Sequence, residues 1–229
     1  MKLLAIDTAT EWCSVALLNH GELLERESRA ERGHGGQVLA MVDELLAAAG
    51  STLNALDAIA FGCGPGAFTG LRLAASVTQG LAYSAGLPVM PVSDLRALAQ
   101  GLMSGERAAE RVLVCHDARM SEVYWAGFEK VGDHARAATA EAVARPEAMI
   151  VAARALLGPG HAGAVGSGFA AYPVLAALAT QLDPVLTTSR PRARDVAVLA
   201  AHDGLHGALP PEQALPVYVR NNVAAVPGG

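Results

Sequence analysis

The stretch FGCGPGAFTGLRLAASVTQGLAY, residues 61–83, sets Gly62, Gly64 and Gly66 directly before a run of helix-forming, small side chains. Backbone N–H groups gathered at a helix start attract anions, so such a loop either holds a phosphate or only turns the chain. A Walker-type loop needs a lysine and a following hydroxyl at fixed spacing, and these are absent here, as is an acidic residue for Mg²⁺. We therefore expect a structural loop, in which the glycines allow a strand-to-helix reversal, Pro65 stiffens it and Gly70 lets the helix begin against a neighbour. His202 and His206 have an H-x-x-x-H spacing, which on a continuous helix would place both imidazoles on one face, as zinc sites do. Gly204 lies between them, Gly207 and Pro210 end any helix at once, and no third ligand follows, so no metal is expected there. VGSGF, residues 165–169, could cradle a nucleotide base, although a lone G-x-G is better read as a plain turn. Arg190, Arg192 and Arg194 could touch a phosphate, but a short solvated loop is the preferred reading. His34 and His116 are single histidines expected to be hydrogen-bonded and structural, and no Ser/His/Asp or Cys/His order suggests a nucleophile.

The bulk numbers narrow the setting. The 229 residues suffice for one large or two small domains with real cores, and two lobes are expected, 1–104 and 105–229, joined through SGERAAE. The chain is 52% hydrophobic and 17% charged, yet no apolar run reaches the roughly 18 residues that span a bilayer. Its first apolar stretch is broken by Asp7 and Glu11, which argues against an export signal. Cys13, Cys63 and Cys115 each sit in an apolar, strand-like run, favouring buried thiols in a reducing compartment, so the cytoplasm is expected. A net charge of −5 argues against a large basic surface; any nucleic acid would need another chain to supply most of the charge.

Patterning supplies the elements that must position these residues. Residues 2–6, 12–18 and 22–28 read as an antiparallel meander, turned at Asn19-His20-Gly21. Val38, Met41, Val42, Leu45 and Leu46 follow a helical period that stops at Gly50. A buried strand at 58–62, a helix at 71–85, a strand at 89–92 and a helix capped by Ser93 complete the order βββαβαβα. A second, weaker copy starts with two strands about a tight turn from Arg111, followed by helices near 146–156, 172–182 and 194–202 and a strand at 163–166.

That order, with antiparallel hairpins and right-handed parallel crossovers, resembles the half-unit of the actin, sugar-kinase and Hsp70 superfamily, so the expected fold is an α/β, two-lobed ASKHA-like fold with an abbreviated second lobe. In phosphate-handling members of that superfamily an Asp at the end of strand one holds a metal and a Gly-rich hairpin follows. Asp7 is present, but Thr8, Ala9 and Thr10 carry side chains where backbone would have to approach phosphate, so Asp7 is read as a turn-capping carboxylate.

The stretches LLAIDTATEWCSVAL, LAMVDELL, GPGAFTGLRLAASVTQGLAY, DARMSEVYWAGF and PVYVRNNVA together resemble the TsaB (YeaZ) family of bacterial threonylcarbamoyl-adenosine tRNA modification. The resemblance implies a catalytic relative, TsaD, whose P-V-H-H-M-E-G-H stretch gives two histidines to a metal. This chain reads PVSDLRAL there, with Asp94 and Leu98 where those ligands would stand, which also removes the ligand pair a metallopeptidase would need. It further implies a non-catalytic subunit without catalytic, cofactor or metal residues, bound to TsaD as a heterodimer, homodimeric when alone, joined by the ATPase TsaE, and reaching tRNA only through the complex. The helix pair from the first lobe is then the expected interface: Gly70, Ala74, Thr78 and Ala82 as a row of short side chains, Leu71 and Leu81 as apolar area, and Arg72 and Gln79 at the rim. The rival reading is an ATP-dependent small-molecule kinase of the same superfamily using Asp7 and the G-x-G at Gly166.

Overall fold

A computed structural model of the chain describes residues 1–29, 35–106, 108–154, 156–157 and 162–220. The meander is present as β1 (Lys2–Asp7), β2 (Trp12–Asn19) and β3 (Glu22–Arg29), with His20 and Gly21 both at positive φ in the β2–β3 turn. It is followed by α1 (Gly35–Ala48), β4 (Ala58–Gly62), α2 (Phe68–Ala85), β5 (Val89–Val92) and α3 (Asp94–Met103). Hydrogen bonding orders this sheet β3-β2-β1-β4-β5, antiparallel across the meander and parallel from β1 to β4 to β5, as crossover helices require.

The second half contains β6 (Arg111–Arg119), β7 (Glu122–Val131), β8 (His134–Ala137), β9 (Ala142–Ala144), α4 (Pro146–Ala153), β10 (Ala162–Val165), α5 (Gly168–Ala171), α6 (Pro173–Ala179), β11 (Val185–Leu186) and α7 (Ala193–Asp203). Its sheet runs β11-β10-β6-β7-β8, with β9 also paired to β7. Strands β8, β9 and β11 and helix α5 have no counterpart in the sequence reading.

Alternation along β1 explains the layering. Leu4 and Ile6 point to one face and join α1 and α2 in one apolar cluster; Leu3 and Ala5 point to the other and join α3, α7 and the second sheet. Helices α4, α5 and α6 cover the far face of the second sheet around Cys115, Met149 and Phe169. The chain is thus five layers deep, and α7, from the second half, packs on β1 and β2 of the first sheet. The two halves share one central core.

Helix α2 begins at Phe68, three residues before its expected start, because its first turn is held from outside. Ala67 N–H donates to Ala9 O at 2.8 Å, and the Thr8 hydroxyl donates to Gly70 O at 2.7 Å. A Cβ on Gly70 would overlap the Thr8 carbonyl, so only glycine admits this approach. Gly70→Ala should lower unfolding free energy by about 2–3 kcal/mol in urea melts, the cost of overpacking against backbone; an unchanged midpoint would refute the contact.

Candidate functional site

Four elements meet at the C-terminal ends of β1 and β4: the β1–β2 turn, the glycine loop, the start of α2 and the start of α3. Asp7 ends β1 and is 1% exposed; Asp94 opens α3 and is also 1% exposed. Asp7 Oδ1 accepts from Ala9 N–H at 3.0 Å, the turn-capping arrangement. Asp94 Oδ2 accepts from Gly64 N–H, and Asp94 N–H donates to Gly64 O at 2.9 Å. The remaining oxygens, Asp7 Oδ2 and Asp94 Oδ1, have no other partner and both crowd the place that a Cβ on Gly62 would take.

Two buried carboxylates cannot both ionise side by side. Burial raises the pKa of both and, for Asp94, the neighbouring Asp7 charge raises it further. A proton on Asp94 Oδ1, donated to Asp7 Oδ2, leaves neither oxygen orphaned. Among the described residues no cation acts on the pair: Glu141, held by the Ser93 hydroxyl, is raised by its own burial, and the Cys63 and Cys13 thiols are pushed up, the latter to about 11. The pair therefore acts as a hydrogen-bonded clamp on the glycine loop and the β1–β2 turn.

Part of the loop's backbone is tied down by the same geometry. Cys63 N–H donates to Val92 O at 2.9 Å, Gly64 N–H to Asp94 and Ala67 N–H to Ala9 O, so these amides are already engaged within the chain.

Beside the clamp, a cavity of about 740 Å³ opens between the lobes, lined by Thr10, Trp12, Phe68, His116, Ser167 and Arg190 among others; neither Asp7 nor Asp94 lines it. Ser167 Oγ accepts from Asp117 N–H at 3.1 Å and is hydrogen-bonded to His116 Nδ1 at 3.2 Å. Burial lowers the His116 pKa, which favours the neutral ring. Gly166 and Gly168 press on the Cys115 backbone of β6, as a packed turn does.

The arginine trio forms ion pairs instead of a solvated loop. Arg190 reaches Glu27 at 2.7 Å and lies over the Trp12 ring, Arg194 reaches Glu25 at 3.0 Å and Arg192 reaches Asp195 at 2.9 Å. His202 stacks on His134 with centroids 3.7 Å apart, whereas His206 lies in a separate 3-10 turn beyond Gly204. Among the described residues no group of three or more His, Cys, Asp or Glu could hold a metal ion. His34 lies outside the described residues.

The expected interface residues divide. Gly70, Leu71, Ala74, Thr78 and Ala82 are buried within the chain, because α2 turns its small-residue row toward β4 and β1. Gln79 and Leu81 are partly buried, and Arg72 is exposed. The outward face carries Phe68 at 54% and Tyr83 at 79% exposure, with Arg72 stacked over Phe68 at 3.9 Å, and α1 adds Leu39 at 47%. Sequence reasoning missed Phe68 and Tyr83, although both lie out of phase with the buried row, on the stripe that includes Arg72 and Ser76.

The two-sheet architecture, βββαβαβα in its first half, defines an actin-like α/β protein of the ASKHA class. Residues 27–227 match the family model for TsaD, tRNA N6-adenosine threonylcarbamoyltransferase. The chain is 41% identical to the Escherichia coli tRNA threonylcarbamoyladenosine biosynthesis protein TsaB, covering 98% of this chain and 96% of that protein. It is 45% identical to the Haemophilus influenzae TsaB over 75% and 74% of the two chains. A Pseudomonas aeruginosa crystal structure, of a protein described as similar to peptidase YEAZ, superposes with a TM-score of 0.85 at 42% identity, covering 96% of this chain and 99% of that one. A second structure, YeaZ from the same organism, gives a TM-score of 0.79. The chain belongs to the TsaB (YeaZ) family.

The sign of the clamp's pH dependence follows from the raised pKa. A folded-state pKa above the unfolded value of about 3.9 makes the contribution to stability complete below that value, and it is lost as pH rises through the folded pKa. Urea melts from pH 5 to 9 should show stability falling with pH in the wild type, with a flatter profile for Asp94→Asn, which stays uncharged and keeps a donor toward Asp7. A steeper fall in the variant would contradict the shared proton.

Proposed function

We propose that this protein is a non-catalytic subunit in tRNA threonylcarbamoyladenosine formation. It binds the TsaD-type catalytic subunit, holds it in an active arrangement, and so supports transfer of the threonylcarbamoyl group to N6 of adenosine 37 in tRNAs reading codons that begin with A. The observation that carries this reading is a division of labour within the fold. Asp7, Asp94 and the glycine loop are engaged with one another inside the protein, while α1 and α2 present Leu39, Phe68 and Tyr83 to solvent. The names of the full-length TsaB relatives support the pathway.

In this reading the outer face of α1 and α2 packs on the equivalent helix pair of TsaD, and on a second copy of this chain when TsaD is absent. The ATPase TsaE docks on the heterodimer, tRNA is contacted through the complex, and the assembly works in the cytoplasm. Among the described residues, no helix is long and apolar enough to cross a membrane.

Exposed aromatic anchors dominate such contacts, and each is worth about 2 kcal/mol or more when lost from an interface centre. Tyr83→Asp and Phe68→Asp should therefore cut co-purification with the TsaD-type subunit by about tenfold or more while leaving the melting temperature near wild type. Ala74→Arg and Thr78→Arg should instead unfold the chain, since both sites are 0% exposed. Full TsaD capture by the Tyr83→Asp/Phe68→Asp double variant would contradict the assigned face.

A further inference from the structure

The final described segment, residues 214–220, runs from the first lobe to the second and is attached firmly at both ends. It is rooted at Ala214, which is 2% exposed. Val217 N–H then donates to Cys63 O at 2.7 Å, and the Val217 carbonyl packs so closely on Gly64 that a Cβ there would lie 2.6 Å from it. The Tyr218 ring stacks against Phe68 with centroids 5.7 Å apart, and its hydroxyl accepts from Arg72 Nε at 3.1 Å. These contacts all belong to the glycine loop and the first turn of α2.

Two residues later Arg220 reaches the turn between β6 and β7. Its guanidinium donates to Ala118 O at 3.3 Å, touches Met120 Sδ at 3.3 Å, pairs with the Glu122 carboxylate, and lies over the Tyr124 ring at 6.0 Å. Only 14% of the Arg220 side chain is exposed. A planar guanidinium shared between a carboxylate and a carbonyl is directional as well as strong, and a point charge could not replace it.

The turn it grips is strained. Arg119, Met120 and Ser121 have φ of 63, 56 and 59°, and none is glycine. Side chains disfavour that region, so such a run persists only where its surroundings over-determine it. Arg220 supplies that determination from the other end of the sequence. Arg220, Arg119, Tyr124 and Phe68 all line the cavity between the lobes, so the end of the segment forms part of its wall.

We propose that residues 214–220 are a clasp: they fix the spacing of the two lobes across the cavity and hold the β6–β7 turn in its strained form. Releasing either end opens the cavity and relaxes the turn. The clasp shares Phe68 and Arg72 with the face proposed to dock on TsaD, but its test reads the chain alone and changes neither residue, so the two tests can fail separately.

Hydrogen–deuterium exchange on the full chain tests it, with one variant at each end. Glu122→Gln is isosteric and removes the charge that Arg220 pairs with. Tyr218→Ala removes the stacking and hydroxyl contacts on α2, in the other lobe. Both should raise amide exchange within residues 118–124 by about tenfold or more, with β1 and β4 exchanging at wild-type rates. Acceleration in Tyr218→Ala is the informative result, since the change is made far from the amides that report it. Wild-type exchange of 118–124 in both variants, acceleration in Glu122→Gln alone, or a uniform rise through β1 and β4 would each overturn the clasp.

Discussion

Two carboxylic side chains placed together out of water, with acidic neighbours and, among the described residues, no cation acting on them, constrain everything near them. Asp7 and Asp94 answer that constraint by sharing a proton and by accepting from Ala9 and Gly64 N–H, so three chain segments are tied at one point. The glycine loop is locked there, α2 is launched at a fixed angle, and Thr8 meets Gly70 at backbone distance. A position that could serve a metal in a related fold serves here as a hydrogen-bonded joint.

Once the inner ends of the first lobe are closed in this way, chemistry and recognition separate in space. The side of α2 with small residues is used against its own sheet, which leaves the opposite side with Tyr83 exposed and with Phe68 and Arg72 only partly covered by Tyr218. Large apolar side chains held on a rigid helix are costly on a free surface and natural in an interface. The interlobe cavity, in contrast, is lined by polar groups paired within the chain: Arg190 with Glu27, Ser167 with His116, and Arg220 with Glu122.

Much of this was legible in the sequence, and the division follows the range of the interactions. The apolar period of α1, the turn at Asn19-His20-Gly21 and the cap at Ser93 are local signals, and the structure has each of them, with Ser93 Oγ accepting from Arg96 N–H at 3.2 Å. Strands β8, β9 and β11 are short and lack a clean alternation, so nothing in their own residues announces them. Asp7 was legible as a turn cap, and Asp94 was marked by its place in the family pattern. Their pairing was not, because it depends on β1 and α3 meeting across Gly62. The direction of the α2 small-residue row was hidden for a related reason: such a row signals close packing without saying against what, and here it packs on β4 and β1. The arginines at 190, 192 and 194 carried the same ambiguity until β3 brought Glu25 and Glu27 beside them.

The central claim is that the Asp7–Asp94 pair is structural and that the protein works through its surface. Threonylcarbamoyladenosine formation on tRNA, in a reconstituted mixture of the TsaD-type subunit, TsaE and this chain carrying Asp7→Asn, tests it most directly. The account predicts modification at the wild-type level. Loss of modification in a folded Asp7→Asn chain that still binds TsaD would contradict it.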